Sequence, residues 1–482
     1  MVVIILLAGI SAYVALSGAG NTTSSIMTAS SSSTLTSTSS TSSSSVASQI
    51  SSNQSLVFPC GGSVWITYHC DYSRSGVDAN ESNINSPSIN WTSPKLDGNI
   101  YAEPIIAYGE VYVATENNSV YALNATNGEI IWHTNVGTPS TSGMPCGDIN
   151  PLGITGTPVL DLSTRTLYFV SEVSGGDHIL HGIDVATGSV VYSRNIDPPG
   201  STPIDQQQRP ALALNHGIVY IELGGLYGDC GTYHGWVIGA QLNDSSKPLY
   251  TFEVAPNDSQ GGIWEVGGVS IAPSGDLYIA SGNSQGAKTY DYGDGVIQLS
   301  PTLQVLSYFA PSDYAQLNQQ DQDLGTTGPI QLNNQSLVFE VGKEGVGYLL
   351  NQSSLGGING SLYSAQVCAS AYSADASYNE YIYVPCTNGL NAIQLNSTTR
   401  NPSFANVWST DSFMSGAPIV SGNAVWTLDT DDGTLFALSP TTGATLYSQH
   451  LGSVTHFETP ASADGKILVG ASNQIFAISI ST

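Results

Sequence analysis

Basic side chains are what this chain has least of. Its 482 residues hold 10 Lys and Arg against 37 Asp and Glu, a formal charge of −27 at pH 7. A nucleic-acid partner is excluded on that count, because gripping phosphates requires clustered cations. No segment keeps a 3.6-residue apolar period over any length, which excludes a helical bundle. Cysteine is sparse at six, and none stands in a CxxC, so zinc-ribbon and thioredoxin-like chemistry lack their ligands. There is no GxSxG elbow, HExxH, phosphate-binding P-loop or dinucleotide fingerprint. Serine-hydrolase, zinc-protease, kinase-like and NAD(P)-dependent readings are therefore left without residues. The shortage of bases also has a positive reading. At about pH 2 to 3 most carboxylates are neutral and only Lys, Arg and His carry charge, so a chain with few of them escapes strong positive self-repulsion. The composition fits a protein of an acidic exterior.

The N-terminal stretch points the same way. Met1 to Leu16 (MVVIILLAGISAYVAL) is apolar and leads into Ser17, Gly18, Ala19 and Gly20. Residues 1–20 are expected to be a signal peptide or a retained membrane anchor through residues 1–16, although about 16 residues is marginal for spanning a bilayer. Residues 21–55 are Ser/Thr-rich and low in complexity, the composition of a flexible glycosylated stalk. About a dozen Asn-x-Ser/Thr sequons between Asn21 and Asn396 agree with export to the extracellular space or cell surface. In an exported chain six cysteines suggest three disulfides. Local spacing favours Cys60–Cys70, Cys368–Cys386 would staple neighbouring strands, and Cys146–Cys230 remains.

The folded body, residues 56–482, is written as a repeat. Asn423 to Gly452 (NAVWTLDTDDGTLFALSPTTGATLYSQHLG) reads as three strands, with apolar alternation inside each run and Gly/Asp/Pro/Thr clusters between them. The same phrase recurs as VYVATENNSVYALNATNGEIIW from Val111, as LYFVS…HGIDVATGSVVY from Leu167 and as ILVGASNQIFAISI from Ile467. A unit recurring every roughly 40 to 60 residues with a D/N-x-x-T-G turn before its last strand predicts an all-β fold, a β-propeller of four-stranded antiparallel blades. Inner-strand starts at Pro104, Pro158, Pro210, Gly268, Pro329, Ala371, Pro418 and Pro460 give eight blades. The eighth ends at Thr482 after three strands, and Ile89-Asn90-Trp91-Thr92 is expected to supply the missing outer one, closing the ring and removing open sheet edges.

These repeats, VYALNATNGEIIW and LFALSPTTGATL above all, resemble those of the pyrroloquinoline-quinone (PQQ)-type eight-bladed propellers, the quinoprotein alcohol dehydrogenase-like superfamily. The resemblance covers roughly Trp91 to Ser481 and implies the fold more than an activity, since non-enzymatic outer-membrane assembly propellers share it. It also implies roles. Asn283 in ASGNSQG is similar to the calcium-binding Asn of the dehydrogenases, Asp294 in YGDGVIQLSP to their catalytic base, and Lys343 in FEVGKEGVGYLL to the basic residue that contacts the quinone. In size, export and acid-type composition the chain also resembles the tetrathionate hydrolase branch of this propeller. That branch works in acid without PQQ and centres its chemistry on an aspartate near the channel.

Residues just before each inner strand converge near one end of a propeller's channel. Here they include Glu103, Arg209, Trp264, Glu265, Asp321, Asp323, His456 and Glu458, with Lys343 further along its blade. Asp321 and Asp323, two residues apart in LNQQDQDLGTTGP, would share one side of an extended segment and hold one proton between them. Arg209 and Lys343 could bind the sulfonate ends of a dianion. Carboxylates in such places also cap turns or bond backbone amides, and DTDDG at 429–433 reads as a hairpin turn. The favoured expectation is an acid-adapted polythionate hydrolase that needs no cofactor and takes a small anionic substrate. A quinoprotein dehydrogenase with PQQ and calcium, and a non-catalytic surface or assembly scaffold, stand as alternatives. The sequence leaves a homo-oligomer open.

Overall fold

The computed structural model describes residues 60–481, apart from 286–288, 333–335, 398–400 and 411–412. The expected leader at 1–20 and stalk at 21–55 lie outside the described residues. The body is an eight-bladed β-propeller. Blade 1 is typical: strands Ile105–Ala107, Glu110–Thr115, Ser119–Asn124 and Ile130–Asn135 pair antiparallel in order from the axis outward. The two middle strands (VYVAT and SVYAL) are buried on both faces because neighbouring blades sandwich them. The outermost alternates, with Ile130 and Ile131 exposed. Blade 8 closes as the sequence implies: Ser88–Thr92 pairs with Gln474–Ser479, setting Ile89 against Ile478 and Trp91 against Ala477.

The D/N-x-x-T-G turn is the joint between blades. The Trp91 indole N–H donates to Ala125 O of the next blade's turn at 3.1 Å, Trp132 to Val185 O at 2.9 Å and Trp408 to Pro440 O at 3.0 Å. The turn glycines Gly128, Gly188 and Gly443 have φ of 73°, 70° and 69°. A Cβ on any of them would collide with the Trp ring lying over it. The motif therefore encodes both a left-handed turn and the seat for a neighbour's tryptophan.

One element was not foreseen. Trp65 to Asp78 forms a ring of its own across one end of the channel, bonding the inner-strand region of the blades in turn. Trp65 exchanges backbone bonds with Ile106, and Leu160, Ile271, Gln331, Ser377 and Val420 donate to Ile66, Tyr72, Ser73, Ser75 and Gly76. Arg74 Nη2 reaches Leu212 O at 3.4 Å, Val77–Asp78 pairs in parallel with Val420 and Ser421, and Asp464 N donates to Gly62 O. The segment stoppers the end to which the inner strands run. Cys60–Cys70 staples this plug, Cys146–Cys230 joins two loops at the opposite end and Cys368–Cys386 lies within the sixth blade region. These are the three expected pairs, with Cα separations of 5.4, 6.0 and 6.3 Å. Among the described residues no helix is long and apolar enough to cross a membrane.

Candidate functional site at the open end of the channel

A short helix, Tyr314–Gln320, leads into the site. It ends at Asp321 in the left-handed region (φ 54°, ψ 47°), whose N–H bonds Leu317 O. That cap turns the chain so that Asp323 enters the interior, 1% exposed, while Asp321 stays outside. The two carboxylates therefore do not share one side of an extended segment, as the spacing predicted. Lys343 stands between them instead: its ammonium contacts Asp323 Oδ2 and lies 2.9 Å from Asp321 Oδ1. Gly342 makes the approach feasible, since a Cβ there would strike the carbonyls of Asp323 and Leu324. Asp323 Oδ1 accepts the Asn283 N–H at 2.7 Å. Burial raises Asp323 above the usual carboxylate range, with Lys343 pulling the other way. Desolvation works against the Lys343 ammonium, but its two aspartates win and hold it protonated.

Asp294 backs this pair. It is buried with φ 46°, and its Oδ1 accepts the Leu324 N–H at 2.9 Å, next in sequence to Asp323. Burial first, then the charge of Asp323, raise it well above the ordinary range. Asn283 Oδ1 and Asp294 Oδ2 are buried without a hydrogen-bond partner.

Trp264 connects Asp323 to Arg209. A Cβ on Gly224, Gly262 or Gly282 would collide with the indole, so the ring is seated on bare backbone of adjacent strands, and Gly282 lies between it and Asp323. The indole N–H donates to Gly225 O at 3.1 Å, and Trp264 O accepts from Arg209 Nε at 2.8 Å. The Arg209 guanidinium lies 4.5 Å over the Phe457 ring. Desolvation lowers it to about 10 against the pull of Asp148, Asp323 and Asp229. His456 stands edge-on to Phe457, 4.0 Å between rings, with Nε2 3.7 Å from Asp148 Oδ2. Asp229 accepts the Tyr233 hydroxyl at 2.6 Å, and Tyr233 packs beside Trp264. The Cys146–Cys230 bridge flanks Gly228 next to these residues. Asp148 and Phe457 were missed in the sequence. Neither lies in a repeat position, and only their nearness to Cys146 and His456 hinted at them.

Three expected members lie deeper. Glu103 accepts the His69 N–H of the plug at 2.9 Å, Glu265 the Ala280 N–H at 3.0 Å and Glu458 the Gly470 N–H at 2.6 Å. All are at most 1% exposed. They bond backbone rather than line the mouth, and burial raises each.

A family model described as outer membrane protein assembly factor BamB matches residues 82–223. Among solved structures, a quinohemoprotein alcohol dehydrogenase from Pseudomonas putida superposes with a TM-score of 0.65 at 14% identity, over 87% of this chain and 80% of that one. A europium-containing methanol dehydrogenase gives 0.66 at 13%, over 86% and 98%. This chain shares the eight-bladed propeller fold of these dehydrogenases. At these identities the likeness is one of fold. A tetrathionate hydrolase from Acidithiobacillus ferrooxidans is 29% identical over 102 residues, 21% of this propeller and 19% of that protein, so the match spans about a fifth of either length.

The propeller's residues suit a quinone with calcium only in part. The Trp264 indole is seated on the backbone of Gly224, Gly262 and Gly282. Asn283 Oδ1 and Asp294 Oδ2 have no hydrogen-bond partner among the described residues, but both Asp323 oxygens are engaged, by the Asn283 N–H and the Lys343 ammonium. Among the described residues no group of three His, Cys, Asp or Glu is arranged to hold a metal.

Proposed function

We propose that this propeller is an exported, acid-adapted hydrolase of polythionates, tetrathionate in the first instance, with Asp323 as its acid/base. The observation that carries the reading is Asp323 itself: a buried carboxyl with raised proton affinity, touching a lysine and sharing the channel end with Arg209. The local likeness to a tetrathionate hydrolase and the three disulfides of an exported chain support it.

The chemistry follows from these groups. Water attacks an inner sulfur of tetrathionate, the central S–S bond breaks, and thiosulfate departs with the bonding electron pair. The products of this step are HO–S–SO3⁻, thiosulfate and one proton, which balances atoms and charge. HO–S–SO3⁻ then decomposes to sulfur and hydrogen sulfate. Asp323 gives its own proton to the leaving thiosulfate as it takes one from the attacking water, so the carboxyl is restored and the one proton counted above leaves on thiosulfate. Lys343 stabilises the charge that develops on the leaving group, and Arg209 holds a sulfonate through its planar fork.

The test is chemical. Purified protein in acid, without quinone or metal, should release thiosulfate and sulfate in step with tetrathionate consumed. Dye-linked oxidation of alcohols together with the absorbance of a bound quinone would move the assignment to the dehydrogenases. Inactivity toward both would leave the scaffold reading.

A further inference from the structure

The Asn-x-Ser/Thr sequons are not spread evenly over the propeller. Each blade's third strand runs toward the plugged end of the channel. Four of these strands finish at or beside a sequon: Asn124-Ala-Thr in blade 1, Asn243-Asp-Ser in blade 3, Asn351-Gln-Ser in blade 5 and Asn396-Ser-Thr in blade 6. The stretches 139–156, 200–210, 226–235, 261–268, 311–329 and 451–460, which surround the candidate site, hold none. Asn117 stands at the open end but is closed to modification. Its amide donates to Asp97 Oδ2 at 2.9 Å, and the buried hydroxyl of its sequon partner Ser119 donates to the same oxygen at 2.6 Å. The other described sequons fall outside the pattern. Asn80 donates its amide to Cys60 O, Asn90 lies in the closing strand, and Asn257 and Asn359 adjoin outer strands.

Two of the four turns show a common geometry. Asn124 Oδ1 accepts the N–H of Thr126 at 2.8 Å together with its hydroxyl, and Asn351 Oδ1 accepts the N–H of Ser353 at 2.9 Å together with its hydroxyl. Both amide nitrogens then donate to nothing among the described residues. The turn itself does not demand an amide, since Asp161 makes the same pair of bonds to Ser163. Asn243 and Asn396 are exposed. The chain leaving three of these turns exposes aliphatic side chains: Ile130 and Ile131, Leu362, and Val407. Only 10% of the residues are charged, and in acid the carboxylates among them are neutral, so little charge remains to hydrate that rim.

We propose that Asn124, Asn243, Asn351 and Asn396 carry N-linked oligosaccharides, which coat the plugged end of the propeller and leave the loops around the channel mouth bare. The donor is an oligosaccharide carried on a lipid phosphate. The Asn amide nitrogen bonds to its anomeric carbon as the C–O bond to the phosphate breaks. The phosphate keeps the electron pair, and the amide gives up one proton. Neutral sugars hydrate the aliphatic rim at any pH, which carboxylates do not. The proposal shares with the proposed function the need for export, and uses none of its sulfur chemistry.

Peptide mass spectrometry on the full chain exported by its own cells tests this. Pepsin is the protease, because no Lys or Arg lies between Lys95 and Arg165 and trypsin would leave Asn117 and Asn124 in one peptide. Oligosaccharide masses are expected on all four turn asparagines and not on Asn117. Thr126→Ala and Ser353→Ala, expressed in the same cells, remove exposed hydroxyls and leave the asparagines in place. Each should lose the glycan at its own turn and keep the other three. Bare amides at two or more of the four turns would overturn the proposal. So would a glycan on Asn117, or one at Asn124 or Asn351 that survives loss of its sequon hydroxyl. Tetrathionate turnover bears on none of these outcomes, so a glycosylated protein that leaves tetrathionate untouched would uphold the glycan sites and sink the polythionate reading alone.

Discussion

Raising the pH should unfold this protein from inside. Glu116 and Glu458 are fully buried, each bonded to a backbone N–H, Gly153 at 2.6 Å and Gly470 at 2.6 Å. Burial pushes each to about 8. A folded-state value above the unfolded one favours the protonated form in the fold. The stability is therefore complete below about pH 4.3 and is lost as pH rises through about 8. At pH 7 each group forfeits at most ~4 kcal/mol, from about 2.7 pH units at 1.36 kcal/mol each. Two histidines oppose this: burial lowers His69 to about 3 and His181 to about 4, so the fold forfeits up to ~3 kcal/mol from each between pH 6.5 and 4.3. The two glutamates roughly match them. Glu103, Glu222, Glu265, Glu340, Asp375, Asp294 and Asp323, all buried and all raised, add to the same side. Several kcal/mol is a large part of a typical folding free energy. Urea midpoints followed by tryptophan fluorescence should therefore peak near pH 4 and fall steadily toward pH 8. Glu458→Gln, which keeps an acceptor for Gly470, should match the wild type at pH 3 and exceed it at pH 7 by up to ~4 kcal/mol. A wild type as stable at pH 7 as at pH 4, or a variant with no advantage there, would refute the reasoning.

Further tests bear on the architecture. Trp132→Phe keeps an aromatic ring but removes the bond to Val185 O and part of the packing over Gly188, and should lower stability by about 1 to 3 kcal/mol in urea unfolding. Gly188→Ala, at φ 70° beneath the same indole, should cost at least as much, visible as a drop in Tm. Replacing Cys60 and Cys70 by Ser frees a 10-residue loop of the plug and should cost about 3 kcal/mol, measured by the same unfolding curves.

The blades and their closure were legible because a propeller repeats itself. Alternation recurs along the chain, and the outer-strand Trp over a neighbour's glycine turn recurs at Trp91, Trp132 and Trp408, so Trp91 marks the closing strand. The disulfides were legible by spacing and elimination. The plug was not, since Trp65 to Asp78 bonds the inner strands through its backbone, and backbone bonding leaves no alternation in the side chains. Asp323, Lys343 and Arg209 could be named from the sequence, yet their spatial relation could not. Nothing in DQD announces that Asp321 caps a helix in the left-handed region and so separates the pair. Glu103, Glu265 and Glu458 stand where mouth residues were expected, but their side chains turn inward to strand N–H groups. Asn283, Asp294 and Lys343 do gather near one another, with Asp323 rather than Asp294 in contact with the lysine.

Asp323 is the group on which the proposed chemistry turns. Initial rates of tetrathionate loss near pH 3 should be measured for the wild type and Asp323→Asn, without quinone or metal. Turnover by the wild type and a loss of at least about 100-fold in kcat for the variant is the result expected of a general acid/base. Equal rates in the two proteins would contradict it and move the chemistry away from the Asp323–Lys343 pair.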